Sequence, residues 1–586
     1  MAPSGSDPCE VAIPLLDLTT VLSFKSLNYV VHQSSASKTL LNNVSGSFQS
    51  GRLTAIIGPS GAGKSSLLNV LSGFKTKGVK GDILVNNEVI DRQHYRKMVS
   101  YNVQNVSLLP NITVEETLRY TADLKMSSKV PDMKKSATIN GIIALLGLEK
   151  CTKTQARLLS GGERKRLSIG LDLVSDPRIL FFDEPTSGLD SVSSYQVISY
   201  MKDLAKQGRC VISVIHQPSS ELLELFDDVY LVTSGQCLYR GSLADLIPSL
   251  SDAGYVCPQY YNPVDFDIQP PNQSSTERHD QYVSRSQYPI SRWRQFSILT
   301  RRTTLGTVRS ITLTVLRITG HLGMGLLIGA IYYNIGNDGA KILSNLGFIL
   351  LSILFIAFVN GMSSVLTCKH QSIPNLNLKS SSPFPPAVPL EMSVFIREYK
   401  SNSYSIVAYL FSKVVADFPM LLTSITLFHV AAYYLTGQIN EPLRELTFWA
   451  MCVLSGWFAQ VYGLLGGSIF PIEVSPLVLP ILMLPGIIFC GFFIRYDELS
   501  LAFRWFTWVS PFRFTFEAAT LGMYGFGREK LECSEIFCYL QKPAKILDML
   551  DMVDACAAVF KLEEKVTIGK KLVRLYFINF NNWPNN

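Results

Sequence analysis

The stretch Leu53-Thr-Ala-Ile-Ile-Gly58-Pro-Ser-Gly-Ala-Gly-Lys-Ser65 runs from an apolar, β-branched segment straight into a glycine-rich loop ending in Lys-Ser. The first part reads as a short buried strand. The second fits G-x-x-x-x-G-K-[ST], in which glycines let successive backbone N–H groups turn inward onto phosphate oxygens. A helix expected from near Ser65, through the apolar pattern SLLNVLSG, aims its positive end at the same place. On this reading Gly58, Pro59, Ser60, Gly61, Ala62, Gly63, Lys64, Ser65 and Ser66 cradle a nucleotide. Lys64 is expected to bridge the β- and γ-phosphates, and the Ser65 hydroxyl to ligate magnesium.

Two further apolar runs supply the chemistry that a phosphate cradle lacks. Ile179-Leu-Phe-Phe ends in Asp183-Glu184, an acidic pair at the end of a buried strand rather than on a polar surface. Asp183 is expected to hold magnesium through water, and Glu184 to polarise the water that attacks the γ-phosphate. Val211-Ile-Ser-Val-Ile ends at His216. A third parallel-type strand would place that histidine at the sheet edge where ligands bind in open α/β folds, which suggests a γ-phosphate contact.

Between these runs stands Leu159-Ser-Gly-Gly-Glu163, the start of a charged stretch reading SGGERKRLSIG from Ser160. With Gln104 ahead of it, Ser187-Gly-Leu-Asp190 after Glu184 and His216 beyond, the order resembles the ATP-binding cassette over about residues 20–260. The resemblance implies a partner, because in that family the LSGGE segment caps ATP held by the phosphate loop of a second cassette. Ser160, Gly161 and Gly162 would make that contact, helped by the helix N-terminus behind them. It further implies that Gln104 links magnesium and the attacking water to the membrane domain, and that Tyr29 stacks on adenine.

The chain has 586 residues, too many for one core, so two or more domains are expected. Charges recur to about residue 300; the later part holds the uncharged windows Leu346–Leu366, Leu446–Phe470 and Pro476–Ile494, each long enough to cross a bilayer. Ile311–Tyr333, with Arg317 and His321 near its start, and the segment ending Phe418–Leu435, with His429, complete five expected spans at 311–333, 346–366, 405–435, 446–470 and 476–494. The fold class is therefore an α/β P-loop ATP-binding cassette followed by an all-α polytopic membrane domain. Residues 1–20 form a tail, 21–265 the cassette, 266–292 a linker, 293–310 a connecting helix and 311–496 the transmembrane domain; an extracellular loop at 497–555 and a tail at 556–586 follow.

The N-terminus lacks a basic n-region and an apolar cleavable core, so a cytosolic cassette is expected. Arg301, Arg302 and Arg309 before the first span agree with it. A formal charge of +7 spread along this length gives no support to nucleic-acid binding. The 11 cysteines form no CxxC pair and no zinc spacing. Cys533 and Cys538 fall on the outer side in the five-span count, where a disulfide is permitted. The sequons at Asn43, Asn111 and Asn272 fall in the expected cytosolic part, which makes them chance matches.

Cassette first and membrane domain second resembles the G subfamily of ABC half-transporters. SGGERKRLSIG, HQPSSELLELFDDVYLV, YRGS and CPQYYNPVDF carry the likeness in the first half. IGAIYYNIGND, PLEMSVFIREY and YLFSKVVADFP carry it in the second, nearest to the branch that exports sterols and phospholipids, with pigment-precursor transporters as the rival. The resemblance implies ATP and Mg2+ as cofactors and a second half-transporter subunit, in a homo- or heterodimer. It also implies a lipophilic small-molecule substrate reached among membrane lipids, and a multi-pass protein of the plasma membrane. Phe492 and Phe493 would plug the cavity, and Arg397 and Glu398 would lie on a helix against the cassette and transmit nucleotide state. Three features depart from the pattern: the linker PPNQSSTERHDQ is short, the Ser/Pro-rich piece Cys368–Val388 has no counterpart, and the tail carries four bases and two acids between Lys561 and Lys571 where a sixth span is expected. A non-transporting splice or gene-model variant, acting as a partner subunit, is the second reading these departures allow.

Overall fold

The structure, a computed structural model, describes residues 20–33, 36–104, 107–216, 218–246, 248–249, 288–367, 390–470, 474–494, 499–525, 528 and 531. The phrase at 257–266, most of the linker, the piece at 368–388, Cys533, Cys538 and the tail at 556–586 lie outside them. Two compact units emerge, one containing residues up to Arg309 together with Leu390–Lys413, the other Ser310–Pro389 with Val414 onward.

In the first unit the strands are β1 (Val21–Gln33), β2 (Ala36–Gln49), β3 (Leu53–Ile57), β4 (Val79–Val85), β5 (Val99–Asn102), β6 (Ile179–Asp183), β7 (Cys210–Val214), β8 (Asp228–Thr233) and β9 (Gln236–Ser242). Between them run α1 (Lys64–Leu71), α2 (Arg92–Met98), α3 (Val114–Lys125), α4 (Asp132–Leu145), α5 (Gly161–Leu173), α6 (Ser191–Lys206) and α7 (Ser220–Leu223), with α8 (Arg292–Val308) beyond β9. β2, β1 and β4 form an antiparallel sheet. The main sheet has the order β5-β6-β7-β3-β8-β9, parallel except for β9. Every residue of β3, β6 and β7 is buried, as expected of strands covered on both faces. That order sets the carboxyl ends of β5, β6, β7 and β3 side by side along one edge.

The second unit is helical: α9 (Ile311–Ile331), α10 (Ile342–Thr367), α12 (Ile406–Leu435, from Val414 on), α13 (Pro442–Ile469), α14 (Ser475–Ile488), α15 (Arg504–Val509) and α16 (Pro511–Tyr524), with α11 (Leu390–Lys400) belonging to the first unit. Among the described residues, four helices, Ile311–Ile331, Ile342–Ser364, Ile406–Leu435 and Pro442–Ile469, are long and apolar enough to cross a membrane. The fifth expected span, 476–494, is helical only over Ser475–Ile488. At about 1.5 Å per residue its 14 residues fall short of the roughly 30 Å hydrocarbon layer. The expected loop at 497–555 also differs, since α16 within it buries Phe512, Phe516, Ala519 and Met523 in the unit's core. Residues 390–413, expected inside the membrane domain, join the first unit because their polar groups are bonded there.

Candidate nucleotide site

The loop between β3 and α1 holds Gly58, Gly61 and Gly63 at φ of 148°, 81° and 102°. A Cβ at Gly58 would stand 2.0 Å from the Val232 carbonyl oxygen, so only glycine fits there. Lys64 is buried and folds back, its Nζ donating to the carbonyls of Gly58 at 2.7 Å and Pro59 at 2.9 Å. Burial lowers its pKa, while the carboxylates of Glu184 and Asp183 act in the opposite sense. Ser65 Oγ donates to Asp183 Oδ1 at 3.0 Å, and Ser66 follows, half-buried, on α1. Pro59, Ser60, Gly61 and Ala62 complete the turn, in which Ala62 N–H donates to the Pro59 carbonyl.

The sheet edge brings the remaining groups to this loop. Ser60 Oγ and His216 Nε2, just past β7, share a hydrogen bond of 2.9 Å. Gln104, two residues past β5, donates from Nε2 to Glu184 Oε2. Glu184 sits at φ 47°, a left-handed conformation uncommon for its residue type, and its N–H is held by the Val214 carbonyl at 3.0 Å. Burial raises the pKa of Asp183, opposed by hydrogen bonds from Ser65 and from Tyr101, whose hydroxyl donates to Oδ2 at 3.1 Å. Ser65, Asp183 and Gln104 thus offer oxygen donors of the kind Mg2+ prefers.

Among the described residues Ser160, Gly161 and Gly162 make no hydrogen bond to the phosphate loop. Ser160 caps α5 with a capping box, its Oγ accepting from Glu163 N–H at 3.2 Å while Glu163 Oε2 accepts from Ser160 N–H at 2.9 Å. Ser160 and Gly161 are exposed, and the nearest side chains to Cβ positions at Gly161 and Gly162 are Leu189 and Ser193. Tyr29 is 8% exposed on β1 and packs into the core shared by the small sheet and β3.

Several functional contacts escape sequence reading. Lys165, inside the charged stretch, is buried and donates to the Gln104 carbonyl at 2.9 Å, with burial lowering its pKa to about 8. Arg302, read only as a juxtamembrane base, makes two 2.9 Å bonds to Glu398, which also accepts from the Tyr404 hydroxyl at 2.7 Å. Arg397 donates to the Ser107 carbonyl at 2.8 Å. In the helical unit Arg317 is no stray impurity, since it pairs with Asp417 at 2.9 Å and donates to Asn360 Oδ1 at 2.7 Å. Gln460 donates to Asp417 at 2.7 Å. His321 Nδ1 meets the Arg317 carbonyl at 2.7 Å; because a carbonyl only accepts, Nδ1 carries the proton and Nε2 accepts from Asn360. An apolar span with an arginine at one helical face and an aspartate in another span was the available signal.

Residues 41–187 match the family described as ABC transporter, and residues 294–387 and 372–524 match the ABC-2 type transporter family. The ABC transporter G family member 20 of Arabidopsis thaliana is 28% identical over 534 residues, covering 82% of this chain and 69% of that protein. The ABC transporter ATP-binding protein/permease wht-1 of Caenorhabditis elegans is 28% identical over 545 residues, covering 83% and 77%. The broad substrate specificity ATP-binding cassette transporter ABCG2 of Mus musculus is 28% identical over 570 residues, covering 85% and 83%. Among solved structures, cbiO1 from Clostridium perfringens aligns at 24% identity and a TM-score of 0.34, covering 39% of this chain and 94% of that one. With the nucleotide-binding match ahead of the membrane match, this chain is an ABC transporter, an ATPase coupled to transport across a membrane, and it is similar to G-family members along most of both chains.

Proposed function

We propose that this chain is a half-transporter that pairs with a second half-transporter subunit, a like chain or a different one, and exports lipophilic molecules, sterols or other lipids, from the plasma membrane. The observation that carries the pairing is the exposure of the signature's start: Ser160 and Gly161 are exposed, and their neighbours Leu189 and Ser193 are not part of the phosphate loop. An exposed signature of this kind suits ATP held by another cassette.

Within one cassette the chain's own groups divide the work. Gly58 to Gly63 cradle the phosphates, and Lys64 leaves the loop carbonyls for the β- and γ-phosphate oxygens. Glu184 accepts a proton from the attacking water, oriented by the Gln104 amide that already holds its carboxylate. His216, steadied by Ser60, donates to the γ-phosphate. Ser65, Asp183 and Gln104 would hold Mg2+, which supplies neutralisation of charge on the transferred phosphoryl group.

A lipophilic cargo is supported by the way the helical unit spends its polar groups. Arg317, Asp417, Asn360, His321 and Gln460 bond to one another, leaving a predominantly apolar remainder to meet the substrate. Phe493 is 59% exposed and stands edge-on to Phe492, which in turn meets Phe516, an arrangement suited to an aromatic plug. The test is vanadate-sensitive ATP hydrolysis by the purified chain in lipid nanodiscs with and without cholesterol, with Glu184→Gln as the blank. Hydrolysis that rises with cholesterol and vanishes in the variant is expected. Hydrolysis no higher than the blank would overturn the self-sufficient homodimer, and hydrolysis indifferent to cholesterol would overturn the sterol assignment.

A further inference from the structure

Helix α5 begins at the exposed signature and ends deep in the first unit. At about 1.5 Å of rise per residue, Asp172 lies roughly 18 Å along it from Ser160. Three side chains on one face, Lys165, Ser168 and Asp172, tie the helix to the end of β5. Lys165 donates to the Gln104 carbonyl at 2.9 Å, and Asn102 Nδ2 donates to Ser168 Oγ at 2.9 Å and to Asp172 Oδ2 at 2.7 Å. These bonds tie the signature helix to the segment that carries Gln104.

The other side of Asp172 faces α11. Asp172 lines a cavity of about 10 Å³ together with Lys125, Arg397, Glu398 and Ser403. Lys125 closes α3 and donates to the Leu171 carbonyl at 3.1 Å, beside Asp172. Glu398 is bound in turn by Arg302 and Tyr404. From the nucleotide edge outward the charges run Lys165, Asp172, Lys125, Glu398 and Arg302, with Arg397 beside Lys125 and of like sign; Arg302 and Glu398 form an ion pair at 2.9 Å. Charges of alternating sign in a poorly solvated interior hold their neighbours strongly, and removing one leaves the next uncompensated. Burial lowers the pKa of Lys125, and the Asp172 carboxylate works against that shift. Beside the series, Asn102 Oδ1 and Ser403 Oγ are buried without a hydrogen-bond partner among the described residues.

We infer that Asp172 is the joint through which the signature helix α5 passes nucleotide state to α11, a positioning residue that acts through Lys125 and touches neither nucleotide nor metal. The inference rests on the proposed nucleotide site. Capture of ATP at one end of a rigid helix displaces its other end, and the charge series carries that displacement into α11, whose chain continues into α12.

Hydrogen exchange on the full chain in nanodiscs tests it, in a Glu184→Gln background with and without ATP and Mg2+. Nucleotide is expected to slow exchange in the phosphate loop at 58–65 and to change it across 390–400. In Asp172→Asn the loop response should remain and the response at 390–400 should be lost, while Asp172→Glu restores it. Lys125→Gln, which leaves the Asn102 contact intact, should give the same loss and guards against misfolding of the first variant. A full response at 390–400 in Asp172→Asn and Lys125→Gln, or no response there in the parent background, would overturn the inference. Absence of protection at 58–65 would instead overturn the nucleotide reading beneath it.

Discussion

The nucleotide edge and the apolar spans treat their polar groups in opposite ways. At the nucleotide edge, Glu184, Gln104 and His216 stand at strand ends, exposed or lightly held, with Glu184 kept at an unfavourable backbone angle. In the helical unit, Arg317, Asp417, Asn360, His321 and Gln460 are drawn inward until each answers another. The first arrangement keeps hydrogen-bonding capacity for a ligand, and the second removes it from contact with lipid. Polar residues inside a span therefore count as function only after their mutual bonds have been subtracted, whereas polar residues at a parallel-sheet edge count directly.

The contrast can be broken by substitutions whose effects separate chemistry from stability. The largest expected effect is on rate: Glu184→Gln should lower ATP hydrolysis by roughly 10²- to 10⁴-fold, the usual contribution of a general base. Its thermal unfolding should be unchanged, because among the described residues the side chain's one hydrogen bond is from Gln104. A drop in unfolding temperature would mean that the carboxylate is structural.

Next comes the reverse case in the helical unit. Among the described residues, Arg317→Met leaves Asp417 with the Gln460 amide alone, and should destabilise by about 3–5 kcal/mol, the cost of stranding one member of a buried pair. Arg317→Met with Asp417→Leu should recover most of that loss in chemical denaturation. If the double variant is as unstable as the single one, the pair contributes more than mutual neutralisation.

Two smaller effects calibrate the first unit. Thr113→Ala removes a capping box at the start of α3, whose Glu116 also binds Arg309 at 2.6 Å, and should cost about 1 kcal/mol. Arg52→Ala breaks an ion pair with Asp228 in which the arginine side chain is 47% exposed, and should cost about 0.2–1 kcal/mol, read from the shift of the unfolding midpoint and diminishing as salt is added. An Arg52 effect as large as that of Arg317 would erase the distinction drawn here between exposed and buried pairs.

Much was legible from local pattern alone. The strand before Gly58, the acidic pair after Phe182, the histidine after Ile215 and the charged helix start at Ser160 were each readable, because buried strands and glycine turns restrict the residue types that can occupy them. The apolar windows announced membrane helices for the same reason: a lipid-facing segment excludes charge over its whole length. Local pattern gave no indication that Tyr29 would be buried, because an aromatic on an alternating strand does not show which face the sheet covers. It misled at 476–494, where Pro480 and Pro485 lie inside a helix that ends at Ile488.

Tertiary structure alone decided which distant residues meet. Sheet order set Gln104 against Glu184 and Ser60 against His216, and no spacing along the chain encodes strand order. Pairing of Arg302 with Glu398 and of Arg317 with Asp417 joins residues about a hundred positions apart. Each arginine by itself looks like a basic residue near a membrane; only packing shows that burial has obliged it to find a particular carboxylate. The sequence by itself determined the chemistry available to this protein, because residue type dictates what can bond. The fold decided where that chemistry remains free to act, because burial dictates which groups must first satisfy one another.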